Sequence, residues 1–148
     1  MESPSNPSVY GKILVPYDGS DGAEQALRRA LFLVSALGGD ITVFIVDEHT
    51  PRYAKGVGEV SEDPDLRSAY FADLQAKAKG VASEAGAEVQ TATAVGHAAQ
   101  SILQMAVKRR YDLIVIGHTG HSGVWGTLLG STTARVVDQA PCDVIVVR

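Results

Sequence analysis

Residues 117–148 read GHTGHSGVWGTLLGSTTARVVDQAPCDVIVVR, and this stretch decides how the rest of the chain is read. Glycines and hydroxyl side chains crowd between an apolar β-branched run, DLIVIG (112–117), and a second one, DVIVVR (143–148). Between them, Ala134, Val137 and Ala140 recur at helical spacing, so the segment reads as strand, glycine loop, helix, strand. The same alternation runs upstream. ILVPY (13–17), ITVFIV (41–46) and EVQTATAV (88–95) are strand-like. Ala23, Leu27, Ala30, Leu31, Val34 and Leu37 mark a helix; Leu66, Tyr70, Leu74, Ala78, Val81 and Ala85 mark another; Ala99, Ile102, Leu103 and Ala106 mark a third. Strands alternating with helices make parallel βαβ units. The expectation is an α/β fold: a doubly wound, open, parallel five-stranded sheet of order 3-2-1-4-5 with helices on both faces. The third strand, which alternates Val89, Thr91, Thr93 and Val95, reads as an edge.

The 148 residues suit one domain, expected over 9–148, after a Ser/Pro start (1–8) expected to be disordered. The longest apolar run, Ala30 to Leu37, falls well short of a membrane helix. MESPSNPSVYGK lacks the basic and apolar regions of a signal peptide, so a cytoplasmic protein without a membrane partner is expected. A net charge of −4 argues against nucleic-acid binding, which uses a basic face. The lone Cys142 excludes an internal disulfide and reads as a small hydrophobe.

Punctuation places the boundaries. Asp21 with Glu24 three residues on reads as an acidic variant of the capping box, and Gly38-Gly39-Asp40 ends that helix. Residues 48–64 lack periodicity and form a long connection, a candidate lid or partner site.

In such sheets ligands bind beyond the carboxyl ends of the strands where strand order reverses, here between strands one and four. Strand one ends in Pro16-Tyr17-Asp18-Gly19-Ser20 and strand four in Gly117-His118-Thr119-Gly120. Gly117, two residues, Gly120, nine residues, Gly130 and then Ser131 at a helix start make a phosphate cradle from backbone N–H groups, with the hydroxyls of Ser131, Thr132 and Thr133 beside it.

With these pieces in place, the chain resembles the universal stress protein family over nearly its full length. ILVPYDGS, VFIVDEH, VGHAAQSILQMA, DLIVIGHTG, LLGSTTARVV and APCDVIVVR carry the resemblance. It implies the adenine nucleotide alpha hydrolase-like, Rossmann-like sheet, a homodimer, and membership of an ATP-binding branch marked by G-x2-G-x9-G-S/T. Carried over, it implies that Pro16 and Asp18, with Tyr17 between them, lie against adenine and ribose. Val46 would bond the adenine edge through its backbone. Gly117, His118, Thr119 and Gly120, with Gly130, Ser131, Thr132 and Thr133, would hold ribose and phosphates. His121 stands where the family usually has Arg or Lys, so the phosphate end lacks a permanent charge; tighter ATP binding at mildly acidic pH is the expectation.

His118-Thr119-Gly120-His121 also spells the H-x-G-H of nucleotidyltransferases, but there it follows the first strand, so no catalytic role is assigned. No carboxylate or cysteine stands near this pair, so Mg2+ arriving with ATP is preferred to a protein-held metal. Asp18 reads as a ligand contact in preference to a general base or plain turn residue. Trp125 reads as capping its segment, and Lys108-Arg109-Arg110 as a solvated helix end. The last strand is an apolar edge that a homodimer would cover. The leading function is therefore binding of ATP, or ADP or AMP, by a stress-response protein whose nucleotide governs an unidentified regulatory protein partner. No Walker lysine follows Gly130, which leaves slow ATP hydrolysis or self-phosphorylation on Ser131 or Thr132 as the alternative, and a nucleotide-independent partner module as a third.

Overall fold

The computed structural model describes residues 9–48, 64–119 and 129–148. The expected disorder of residues 1–8, the body of the 48–64 connection, and Gly120, His121 and Trp125 lie outside the described residues. The elements follow in the order β1 (Lys12–Pro16), α1 (Asp21–Leu37), β2 (Asp40–Asp47), α2 (Pro64–Glu84), β3 (Gln90–Val95), α3 (Ala98–Lys108), β4 (Leu113–Gly117), α4 (Ser131–Gln139) and β5 (Asp143–Val147). All strand pairs are parallel and the order is β3-β2-β1-β4-β5, as expected.

Successive residues of a strand point to opposite faces, so a strand covered on both sides must be apolar throughout. β4 buries all five of its residues. Ile13, Val15, Val43, Ile45, Leu113 and Val115 pack with Leu27 and Ala30 of α1 and Ala78 and Val81 of α2. Their alternates Leu14, Phe44, Ile114 and Ile116 pack with Ile102 and Ala106 of α3 and Val136 of α4. Two cores back to back through one sheet, at about 1.5–3 kcal/mol per large buried side chain, hold the sheet in place. β3 is the expected edge, with Thr93 and Val95 exposed. Cys142 is partly buried against the second core, and burial raises its thiol pKa.

Three local readings change. The N-cap of α1 is Ser20, one residue before the expected box: its Oγ accepts from Ala23 N–H at 3.2 Å. Glu24 lies one position too far along to reciprocate and pairs with Arg28 at 3.2 Å. In α2, Leu66 and Tyr70 are exposed instead of core-facing, and Tyr70 lines a cavity rather than the core. In α4 the buried positions are Thr133 and Val136, while Val137 is exposed. Apolar periodicity overlooks Thr133, whose hydroxyl is buried because it donates to the Gly117 carbonyl at 2.7 Å. No described helix is long and apolar enough to cross a membrane.

Candidate functional site

The register of β1 with β4 runs over Ile13–Leu113 and Leu14–Ile114. β1 stays paired with β2 as far as Pro16–Phe44, and β4 with β5 as far as Gly117–Val147. Each middle strand therefore follows its outer neighbour, and past Leu14 the two part. A cavity of about 460 Å³ opens between their carboxyl ends, at the reversal of strand order.

One end of this cavity is built by β1 and β2. Pro16, Tyr17, Asp18 and Val46 all line it. The Tyr17 N–H donates to the Phe44 carbonyl at 2.9 Å, the last bond between the two strands among the described residues. Peptide groups along a strand alternate in direction, so the next groups of β2 turned the same way belong to Val46. They face the space into which β1 does not continue. Asp18 is set by the turn behind it, its Oδ1 accepting from Ser20 N–H at 3.0 Å. Tyr17 is buried, with no hydrogen-bond partner for its hydroxyl among the described residues. Burial pushes its pKa up to about 12, aided by the Glu24 and Asp18 carboxylates and opposed by Arg28.

The other end is the glycine loop and the start of α4. Gly117, Thr119, Gly130, Ser131, Thr132 and Thr133 line the cavity. The two described glycines of the motif serve different ends. A Cβ on Gly117 would stand 2.7 Å from the carbonyl carbon and oxygen of Gly22, so its bareness is used by α1, which crosses β4 at backbone distance. Gly130 has φ −61°, open to any residue, and among the described residues a Cβ there would meet nothing closer than 3.5 Å. Among the described residues, packing imposes no glycine at 130; an added side chain would instead intrude on the approach to the N-terminus of α4. Among the described residues no side chain caps that terminus, whose N-cap is Gly130 itself. The N–H of Ala134 is the first to bond within the helix, to Gly130 C=O at 2.9 Å, leaving those of Ser131, Thr132 and Thr133 to face outward. His118 contributes through its backbone: its N–H donates to Val147 C=O at 2.7 Å and its C=O accepts from Gly130 N–H at 3.0 Å. Its side chain is buried, does not line the cavity, and leaves Nε2 without a partner among the described residues.

Several lining residues escape sequence reasoning. Asp47 and Glu48 follow Val46 into the cavity wall, and Tyr70 closes it from α2. Asp47 Oδ2 pairs with Arg67 Nε at 3.2 Å, tying α2 to the end of β2. Glu48 Oε1 accepts from Ala98 N–H at 3.1 Å and so caps α3 from 50 residues away. The signal for this is legible in retrospect: His97 holds the N-cap position of α3 without a side-chain cap bond, so the cap must come from elsewhere. Burial raises the pKa of Tyr70, and the carboxylates of Asp47, Asp18 and Glu48 raise it further, which places all three within electrostatic reach of one hydroxyl. Among the described residues, no group of three or more His, Cys, Asp or Glu side chains is placed to hold a metal ion.

Such a site offers peptide groups to the edge of a flat base at one end and uncapped helix N–H groups to an anion at the other. Comparison with known proteins agrees with the architecture. Residues 10–148 match the profile of the universal stress protein family. A universal stress protein of Methanocaldococcus jannaschii is 32% identical over 144 residues, covering 95% of this chain and 84% of its own. Among solved structures, the universal stress protein UspA from Lactobacillus plantarum superposes with a TM-score of 0.74 at 30% identity, covering 94% of this chain and 98% of its own. A universal stress protein solved in complex with cAMP superposes at 0.74 with 26% identity, over 95% and 99% of the two chains. The sheet order, the glycine loop and the full-length match together place the chain in the universal stress protein family, to which it belongs.

Proposed function

We propose that the chain binds an adenine nucleotide (ATP, ADP or AMP) in the cavity between β1 and β4, and that occupancy governs its choice of a regulatory protein partner in the stress response. The observation that carries this reading is the combination of an open Val46 peptide edge with a Gly130 that packing among the described residues does not need. Val46 N–H and C=O match the acceptor and donor of the adenine edge, Asp18 stands where a ribose hydroxyl can donate to it, and Ser131 and Thr132 flank a phosphate on α4. The relative in complex with cAMP supports the class of ligand. Mg2+ would arrive on the phosphates, since the described residues offer no cluster for it. Two copies pair through β5, whose outer edge has no partner strand among the described residues.

Calorimetric titration of nucleotide-free protein with Mg-ATP, beside a Gly130→Val variant, tests the reading. Because a Cβ at 130 finds ordinary contact distances among the described residues, the variant should fold normally, and its loss of binding reports on the ligand's approach. Micromolar binding by the parent and none by the folded variant is the expected result. Equal binding by both removes the glycine cradle from the account, and no binding by the parent removes the nucleotide.

A further inference from the structure

At the end of β2 the two faces of the sheet lead to different helices. Side chains along a strand alternate between the faces, while its peptide groups lie near the plane of the sheet. Val46 packs against the core shared with α3 and α4, and Asp47 turns the other way, to Arg67 of α2 at 3.2 Å. A base that bonds the Val46 peptide therefore lies near the sheet plane, with one ring face towards α3 and the other towards α2. The cavity is furnished on both sides: Ala98 and Ile102 line it from α3, and Tyr70 lines it from α2.

Tyr70 is held in place by its own helix. Arg67 stands three residues before it on the same side of α2, and its pair with Asp47 fixes that turn to the residue after Val46. Further along, Gln75 Nε2 donates to Thr91 Oγ1 of β3 at 3.0 Å, and Lys77 Nζ donates to the Gly19 carbonyl, just past β1, at 2.8 Å. Phe71 packs on the first core, and its ring stands 5.8 Å from that of Tyr70 between centroids, tilted by 53°. This contact braces one side of the Tyr70 ring. Tyr70 is nevertheless 39% exposed, so a braced aromatic surface borders a concave site without being spent on the core. Burial raises its pKa, so at neutral pH the ring is an uncharged phenol.

Resting on the adenine-nucleotide reading above, we infer that Tyr70 contacts the base, its ring covering the face of the adenine turned away from α3, so that the base enters a slot between α2 and α3. The Val46 peptide reads the edge of the base, and Tyr70 and Ile102 hold its two faces. Loss of an aromatic ring from such a stack corresponds to about tenfold in affinity. The contact uses the ring and not the hydroxyl, so phenylalanine serves as well as tyrosine.

The test is calorimetric titration of the nucleotide-free full chain, Tyr70→Ala and Tyr70→Phe with AMP, beside isotope-filtered NMR of the labelled parent with unlabelled AMP. Because the residue is partly exposed and alanine suits a helix, Tyr70→Ala should keep the parent's fold. The expected result is AMP bound about tenfold or more weakly by Tyr70→Ala and within about twofold of the parent by Tyr70→Phe. In the parent, cross-peaks should join the adenine ring protons to those of Tyr70. Equal binding by Tyr70→Ala and the parent overturns the inference and leaves the adenine-nucleotide reading intact. Tyr70→Phe binding as weakly as Tyr70→Ala assigns the effect to the hydroxyl and overturns the stack. A loss in Tyr70→Ala with no cross-peak in the parent also overturns it, because the side chain then acts without touching the base. Absence of AMP binding by the parent overturns both the inference and the reading it rests on.

Discussion

Replacing Gly22 by alanine should destabilise the protein, whereas the same replacement at Gly80 should stabilise it, although both glycines sit in helices. The helical preference of alanine over glycine amounts to about 1 kcal/mol in a helix interior. Gly80 is exposed in the body of α2, and a Cβ there would meet nothing within 4 Å, so the gain is realised in full. At Gly22, in the first turn of α1, a Cβ would run into the Thr119 carbonyl oxygen, well inside contact distance. That oxygen would have to retreat by most of an ångström. Its neighbour His118 is held on both sides, by Val147 and by Gly130, so the loop cannot swing freely away. Overpacking of this kind costs about 1–3 kcal/mol, and against an oxygen held this firmly the upper part of that range, about 2–3 kcal/mol, applies, which outweighs the propensity gain and leaves a net loss of roughly 1–2 kcal/mol. For a chain of this size the thermal midpoint then falls by roughly 2–8 °C for Gly22→Ala and rises by roughly 2–4 °C for Gly80→Ala. Matched thermal and urea unfolding of parent and variants is the assay. Because Thr119 lines the cavity, Gly22→Ala should also weaken nucleotide binding while Gly80→Ala leaves it alone. A Gly22→Ala midpoint at or above that of the parent would refute the claim that α1 and β4 meet at backbone distance.

Thr133→Val removes the buried hydroxyl bond to the Gly117 carbonyl while keeping the shape, so urea unfolding should show a loss of about 1–3 kcal/mol. Thr133→Ser, which keeps the donor, should recover part of it, and no recovery would point to packing instead. Tyr17 keeps its proton in the folded state up to about pH 12, whereas the unfolded chain loses it near pH 10. Its contribution to stability is thus whole below pH 10 and declines as pH rises towards 12. The urea midpoint of Tyr17→Phe should fall less over this window than the parent's, and parallel curves would exclude Tyr17 as the cause. Glu48→Ala should cost about 0.5–2 kcal/mol and speed amide exchange at the start of α3, while Glu48→Gln keeps the acceptor and most of the protection. Equal exchange in all three proteins would mean that the cap is not supplied from β2.

The sequence by itself determined the parallel α/β architecture, the strand order and both edges, because strand and helix periodicities repeat along the chain and right-handed crossovers leave few ways to join them. It also pointed to the glycine loop, since that spacing between a buried strand and a helix start is local information. Local pattern was silent wherever a residue acts on a partner distant in the chain. Thr133 read as one more hydroxyl of the phosphate cradle until Gly117 was set against it, and Glu48 looked like the start of a loop until α3 arrived without a cap of its own. Tyr70 read as core until it was seen to line an open cavity. The division within the glycine motif was likewise a tertiary matter. Gly117 and Gly130 are the same letter in the chain, yet one is bare because α1 presses on β4 and the other is bare with no described neighbour to require it. Conformational preference is written residue by residue, but a close approach exists only once two segments far apart in sequence have packed.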